Sequence, residues 1–110
     1  MTGLEVLVKA RELISDPERW THGVYARDAK GESCFDSSDE ATCFDALGAL
    51  NRVSGTRMRA RTSASSFLYE AIDSVPSPYS IGEINDQLGH EATLKIFDRA
   101  IELATKEAKK

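Results

Sequence analysis

The sequence lacks the short motifs that assign the common enzyme chemistries. It contains no P-loop, no dinucleotide-binding glycine pattern and no H-E-x-x-H metalloprotease motif, so none of these sites is indicated. No run of about 18 apolar residues is available to form a membrane-spanning helix. The first residues also lack the basic and apolar blocks of a secretory signal. We therefore expect a soluble, cytoplasmic protein that does not contact a membrane.

Cysteine and histidine are scarce, and their spacing does not predict a metal site. Cys34 and Cys43 are nine positions apart, and His22 and His90 have no close partner of their own kind. Structural zinc sites hold their ligands in close pairs, because a tight knuckle fixes half of the tetrahedron. We expect no metal and no cofactor, with both cysteines reduced. A Cys–His nucleophile pair stays an alternative, because such partners meet in space, but no local signature marks one.

Basic residues are scarce in one stretch of the chain, and acidic residues are absent from another. Across the chain, 18 acidic residues exceed 14 basic ones, and the net charge of -4 argues against general binding to nucleic acid. The acidic stretch, residues 28–45, has Lys30 as its one basic residue and contains the acids Asp28, Glu32, Asp36, Asp39, Glu40 and Asp45. The arginine stretch, residues 52–61, contains Arg52, Arg57, Arg59 and Arg61. Either both are solvated surfaces that partly pair with each other, or one of them meets a partner of opposite charge, since such fields steer association.

Apolar residues at helical spacing predict a mainly α-helical chain. Its 110 residues, 41% hydrophobic and 29% charged, fit one globular domain over residues 1–110. Capping boxes, in which two side chains satisfy free backbone N–H groups at a helix start, occur at Thr2–Glu5, Ser37–Glu40 and Ser80–Glu83. The predicted helices cover about residues 2–14, 37–53, 63–73, 80–89 and 90–106, with a stiff Pro76-Ser77-Pro78 connection before the fourth. Gly48 lowers the propensity of the second helix, and we attribute it to the close approach of another backbone.

A short β-hairpin is predicted between the first two helices. Residues 24–28 and 32–35 flank Ala29-Lys30-Gly31, where the glycine supplies the positive φ that a tight connection needs. Asp28 occupies the first position of the turn, which favours aspartate. Trp20 is expected to pack in the core with its indole N–H on one acceptor. The predicted fold is a mainly α, compact array of about four to five helices with one small two-stranded β-hairpin.

Three acids of the acidic stretch are the candidates for binding a protein partner. They are Glu32, Asp36 and Asp45. The other acids of that stretch have a structural reason to be there, in the turn or in the dipole of the helix predicted to follow. Loops also carry function more often than the elements that they join. We therefore predict that these three residues contact the partner.

An alternative polar site combines the hairpin with the junction before the last helix. Its residues are Arg27, Asp28, Asn85, Asp86 and His90. Brought together in a closed, mostly apolar pocket, they would bind a small ligand or carry out catalysis. The competing structural interpretation is that Asp28 stabilises the turn, and that Asp86 or His90 caps backbone groups near Gly89.

Four segments of the chain together form a pattern. They are R-W-T-H-G-V-Y-A-R-D-A-K-G, A-T-C-F-D-A-L-G-A-L, I-N-D-Q-L-G-H and I-F-D-R-A-I. Over about Leu4 to Leu103, their W-T-x-G-x-x-A-R-D, A-L-G-A-L, N-D and D-R-A-I elements resemble a family of short bacterial and phage proteins catalogued only as a domain of unknown function. The resemblance implies a compact helical domain in bacteria or their viruses. It carries no known activity and transfers no catalytic residue.

The function that best fits the sequence is binding to another macromolecule. Small size, acidity and the lack of a catalytic constellation favour a non-enzymatic protein with a protein partner. One version is a bacterial or phage-encoded modulator or inhibitor of a host complex, whose basic groove an acidic surface would occupy. The alternative is a small enzyme or small-ligand-binding protein that uses the polar residues of the hairpin and the Asn85-Asp86/His90 junction. A DNA-contacting role through the arginine stretch is the third interpretation.

Overall fold

Five α-helices and a two-stranded antiparallel sheet form the part of the chain, residues 1–73 and 79–110, that the computed structural model describes. In chain order they are α1 (Gly3–Leu13), β1 (Ala26–Asp28), β2 (Ala41–Phe44), α2 (Ala46–Ser54), α3 (Met58–Asp73), α4 (Ile81–Glu83) and α5 (His90–Ala108). One 3-10 turn, Pro17–Arg19, precedes β1, and one turn of π-helix, Ile84–Leu88, follows α4. The predicted mainly α fold with a small sheet is confirmed. The Pro76-Ser77-Pro78 connection lies outside the described residues.

Two of the helices begin at the capping boxes predicted for them, which join residues close together in sequence. Thr2 Oγ1 accepts the N–H of Glu5 at 3.2 Å, and the Glu5 carboxylate accepts the N–H of Thr2 at 3.0 Å. Ser80 and Glu83 form the same reciprocal pair ahead of α4. Helix α3 begins at Met58, earlier than predicted, because the arginines of that segment are good helix formers and continue the helix.

The middle helix begins later than predicted, and the Ser37–Glu40 capping box does not form. The N–H of Glu40 bonds instead to the hydroxyl of Ser38, residues 41–44 are strand β2, and α2 starts at Ala46. The N-cap of α2 is Asp45, whose Oδ1 accepts the N–H of Gly48 at 2.6 Å. Aspartate satisfies the free N–H groups of a first turn as well as serine does. The sequence therefore holds two competing helix starts, and the later one is used.

The turn predicted at residues 28–31 forms, but the strand predicted after it does not. Gly31 has a φ of 81° and donates its N–H across the turn at 3.0 Å. Strand β1 pairs with β2, which places Ala26 opposite Phe44, and it makes one isolated bridge toward residues 32–35. The observed pairing leaves Phe44 only 2% exposed. Burial of such a side chain contributes roughly 1.5–3 kcal/mol, which explains why this partner strand is preferred.

The segment that enters β1 approaches α2 at Gly48, as predicted. A Cβ atom on this glycine would lie 2.0 Å from the carbonyl oxygen of Tyr25, which is too close for any side chain. The same carbonyl accepts the N–H of Asp45 at 3.1 Å. The start of α2 is therefore fixed directly against the chain that leads into the sheet.

The core lies between α1, α2, α3 and α5. Its large, fully buried side chains include Val6, Leu7, Ile14, Leu50, Leu68 and Phe97. Helix α1 packs against each of the other three, and α3 packs against α5. Trp20 was predicted to lie in the core, but it is half-buried against it. Its indole N–H donates to one acceptor, as predicted, and this acceptor is Asn85 Oδ1 at 2.8 Å. No helix within residues 1–73 and 79–110 is long and apolar enough to cross a membrane.

Candidate binding cleft

A cleft of about 510 Å³ lies where the segment entering β1, the loop between the strands and the start of α2 meet α4 and the π-helical turn. Its volume is within the range of ligand pockets, roughly 300–1,000 Å³. The close approach of Gly48 to Tyr25 lies beside Asp45 and Leu47, which line the cleft together with Tyr25. The cleft has two chemical parts. One is an apolar wall of Val24, Tyr25, Phe35 and Leu47; the other consists of the cleft acids, Asp36, Asp45 and Asp86.

The wall carries two aromatic side chains that are open to solvent. Phe35 is 83% exposed and Tyr25 is 55% exposed. Phe35 is exposed because β1 takes β2 as its partner, which leaves residues 29–40 as a loop. Exposed aromatic side chains at a cleft are typical of interaction sites. This wall could not be predicted from the sequence, whose pattern indicates that Phe35 lies in a strand.

Asp45 forms the buried acidic end of the cleft. The residue is only 6% exposed, because its cap bond to Gly48 holds it under the chain entering β1. Burial raises the pKa of Asp45 to about 6; the Gly48 N–H opposes this shift, and the charges of Asp86 and Asp36 add to it. A carboxylate perturbed in this way inside a cleft is a candidate for a functional role.

In each cleft acid, one carboxylate oxygen accepts a hydrogen bond from another residue and the other oxygen does not. Asp36 Oδ2 accepts the side-chain amide of Asn51 at 2.9 Å, and Asp45 Oδ1 accepts the helix-cap bond. Asp86 Oδ1 accepts the N–H of Gly23 at 2.9 Å and the side-chain amide of its neighbour in sequence at 3.2 Å. The second oxygen of each acid accepts no hydrogen bond from another residue in the part of the chain that the structure describes.

No basic side chain among residues 1–73 and 79–110 forms an ion pair with a cleft acid. The ion pairs of this part of the chain join Arg11 to Asp98, or lie within α5 and the residues just after it. Arg52 reaches the loop, but it donates to the backbone carbonyls of Asp36 and Ser38. The cleft acids therefore make no direct ion pair within this part of the chain, and the Arg52 guanidinium lies beside the backbone of Asp36.

Comparison with known proteins places the chain in a family. The profile of a family of unknown function, DUF6197, matches residues 1–103. The chain belongs to DUF6197. The resemblance seen in the sequence is thereby confirmed at the level of the family, and the matched range includes every residue of the cleft. No curated protein and no solved structure matches the chain.

Two of the three predicted binding acids of this DUF6197 protein lie in the cleft. Asp36 and Asp45 line it, and Glu32 is exposed on the turn outside it. These acids were expected to have less structural reason than the others of the acidic stretch, but Asp36 accepts a hydrogen bond from Asn51 and Asp45 caps α2. Asp86, which completes the acidic set, was assigned to the alternative site. No simple sequence pattern links it to the other two.

Of the alternative polar site, only Asp86 lines the cleft. Asp28 stabilises the turn as its structural interpretation predicted, because its Oδ1 accepts the N–H groups of Lys30 at 2.9 Å and Glu32 at 3.0 Å. Arg27 donates to one hydroxyl and two carbonyl oxygens of the same region. Both side chains therefore determine the shape of the loop that forms one side of the cleft.

Asn85 is fully buried beside the cleft, where its side chain links three segments of the chain by hydrogen bonds. Its Oδ1 accepts the indole N–H of Trp20 at 2.8 Å and the N–H of Ala46 at 3.1 Å, and its Nδ2 donates to the Thr21 carbonyl at 3.0 Å. His90 Nε2 donates to a backbone carbonyl at the end of α1 at 2.5 Å. The prediction that Asp86 or His90 caps groups near Gly89 is wrong, since both bond to backbone groups elsewhere.

Proposed function

We propose that this DUF6197 protein is a non-enzymatic binding module that takes a basic segment of a protein partner into its cleft. One observation carries the proposal: exposed aromatic side chains meet, at the same cleft, three carboxylates that make no ion pair within residues 1–73 and 79–110. Exposed apolar residues are common singly on protein surfaces. Their combination with a buried acid in a concave site is what favours a binding function.

The aromatic wall would supply most of the affinity. Tyr25 and Phe35 have few rotatable bonds, so ordering them in a complex costs little conformational entropy. Aromatic residues also account for a large share of the binding energy at interfaces. Their apolar surface is in contact with water in the free protein, and covering it with a partner would be favourable in proportion to the area removed.

The cleft acids would select a basic partner. A cluster of acids without ion pairs attracts basic segments and repels acidic ones, and it raises the rate of encounter with a basic partner. Because Asp45 is nearly buried, its attraction is screened by salt less than that of an exposed acid. We therefore propose that the acids that contact the partner are those of the cleft. This set adds Asp86 to the acids predicted from the sequence and leaves out Glu32.

General acid–base catalysis by Asp45 is a second candidate function. A carboxylate with a pKa of about 6 can exchange protons near neutral pH. Cys34 also lines the cleft, but desolvation and the charge of Asp28 raise the pKa of its thiol, so it is a poor nucleophile at neutral pH. An enzyme would convert its bound ligand, whereas a binding module would release it unchanged, and mass spectrometry of the ligand after incubation separates the two.

Selection from a random peptide library tests the proposal. The library is displayed on phage and panned against the full chain, and we expect the enriched peptides to carry a basic residue beside an apolar one. Their affinity should fall at least about tenfold with Tyr25→Ala or Phe35→Ala. Tyr69→Ala is the matched control, because Tyr69 lies on α3 outside the cleft and is 54% exposed. Peptides that bind all three variants alike, or a library that yields no binder, would contradict the proposal.

A further inference from the structure

We infer that the cleft binds a primary ammonium group, the end of a lysine side chain, with Asp45 as its main acceptor. This inference rests on the proposed binding function and names the residue type that the partner presents. Three features of the cleft support it: the number of free oxygens on each acid, the burial of Asp45 and the apolar wall.

The free oxygens of the cleft acids suit an ammonium better than a guanidinium. A guanidinium presents parallel N–H groups that match both oxygens of one carboxylate. In Asp36, Asp45 and Asp86, one oxygen is already bonded to an N–H group of the protein. A guanidinium fork would therefore have to share that oxygen with the N–H group already hydrogen-bonded to it. An ammonium is a compact charge whose N–H donors can each use a single oxygen.

Asp45 is the cleft acid that gains most from a cation. It is 6% exposed and makes no ion pair. No side-chain nitrogen or oxygen in residues 1–73 and 79–110 is both sealed from solvent and without a hydrogen bond. The unbonded Oδ2 therefore reaches solvent, and Asp45 lines the cleft. A ligand ammonium at this oxygen would replace water with a charge-assisted hydrogen bond in a partly desolvated site. Burial, together with the neighbouring charges of Asp86 and Asp36, raises the pKa of Asp45, as expected for a desolvated carboxylate that makes no ion pair.

The wall fits the remainder of a lysine side chain. Val24 and Leu47 offer apolar surface to its aliphatic stem, and the ring faces of Tyr25 and Phe35 attract a cation. A bare metal ion fits less well, because within residues 1–73 and 79–110 no group of three His, Cys, Asp or Glu side chains is placed to hold one. The arrangement therefore favours a cation carried on an organic chain.

Titration of the full, 15N-labelled chain with N-α-acetyl-L-lysinamide tests the inference by nuclear magnetic resonance. The amide signals of Gly48 and Gly23 are the reporters, since these N–H groups donate to Asp45 and Asp86. We expect both signals to shift saturably. Asp45→Asn should weaken binding at least about tenfold. Asp39→Asn, which removes an exposed acid outside the cleft, should leave the affinity unchanged.

Two companion ligands separate the charge from the apolar contact. N-α-acetyl-L-norleucinamide keeps an aliphatic stem without the charge, and N-α-acetyl-L-argininamide carries a guanidinium. The lysine derivative should bind at least about tenfold more tightly than the norleucine derivative, and more tightly than the arginine derivative. Equal binding of the norleucine derivative, or tighter binding of the arginine derivative, would overturn the inference.

Two further results keep the test decisive. Asp45→Asn should fold, because asparagine caps a helix as well as aspartate does, and circular dichroism checks this. In the wild-type protein, affinity for the lysine derivative should fall as the pH is lowered through about 6, with Asp36 and Asp86 as the other carboxylates that face Asp45. Affinity that is constant across this range would exclude Asp45 as the acceptor.

The outcomes also separate this inference from the function on which it rests. If the lysine derivative does not bind, while displayed peptides bind in a manner that depends on Tyr25 and Phe35, the ammonium inference is wrong and the proposed function stands. If neither binds, both are wrong.

Discussion

Replacing Asp45 by asparagine should stabilise the folded protein at neutral pH, although this side chain caps a helix. The cap bond from Gly48 should survive, since asparagine and aspartate are equally good N-caps. The charge, which is buried and unpaired, is lost. Burial raises the pKa of Asp45 from 3.8 to about 6. At about 1.4 kcal/mol for each pKa unit, ionising Asp45 lowers the free energy of unfolding by about 3 kcal/mol.

The stabilisation by Asp45→Asn should increase as the pH rises. A carboxyl group with a raised pKa binds its proton more tightly in the folded protein than in the unfolded chain. Its contribution to stability is fully present below the unfolded pKa of 3.8 and is lost as the pH rises through about 6. The advantage of Asp45→Asn over the wild type should therefore grow between about pH 4 and pH 6, and then stay near 3 kcal/mol, to within about 1 kcal/mol.

Urea unfolding followed by circular dichroism measures this difference at a series of pH values. Asp39→Asn is the control, because Asp39 is exposed and its replacement should change the free energy of unfolding by less than about 0.5 kcal/mol. If Asp45→Asn is no more stable than the wild type at pH 7, the buried charge is not unfavourable and the reasoning fails. A difference that is the same at every pH would attribute the effect to packing instead of charge.

Three further predictions concern the surroundings of the cleft. Gly48→Ala should destabilise the protein in urea unfolding by roughly 1–3 kcal/mol or more, because its Cβ would lie 2.0 Å from a backbone oxygen; Gly82→Ala, whose Cβ meets open space, should not, and equal effects would contradict the account. Asn85→Ala should lower the free energy of unfolding by roughly 3–5 kcal/mol, since it leaves two buried backbone groups and the part-buried indole N–H of Trp20 without a partner, whereas replacing the exposed Gln87 by alanine should lower it by less than about 0.5 kcal/mol. Cys34, with its raised pKa, should react with iodoacetamide more slowly than an unstructured peptide thiol, and mass spectrometry that finds faster reaction would refute this.

Helix starts could be predicted where the contacts that form them are local. The capping boxes of α1 and α4 join residues three positions apart, so the pattern alone suffices. The same pattern at Ser37–Glu40 fails because distant contacts compete. Arg52 donates to the carbonyls of Asp36 at 3.1 Å and Ser38 at 2.7 Å, and its guanidinium lies 5.6 Å from the centre of the Phe44 ring. Arg52, a member of the arginine stretch, thus holds the loop in place.

The cleft could be predicted only in part for the same reason. The acidic character of the chain around Asp36 and Asp45 is visible in the sequence, but Asp86 joins them through the tertiary fold. The aromatic wall depends on which segment pairs with β1. In a short strand this choice is made by what the pairing buries, and Phe44 is buried where Phe35 is left exposed.

Asp45 shows that the requirements of folding do not account for every residue of the cleft. Helix α2 needs a side-chain cap at this position, and asparagine would provide one without a charge. A buried charge without a partner lowers the stability of the folded state. Natural proteins depart from the rules of stability chiefly at functional sites. A charge that opposes folding, beside an exposed aromatic wall, is therefore what the proposed binding of a cation would require.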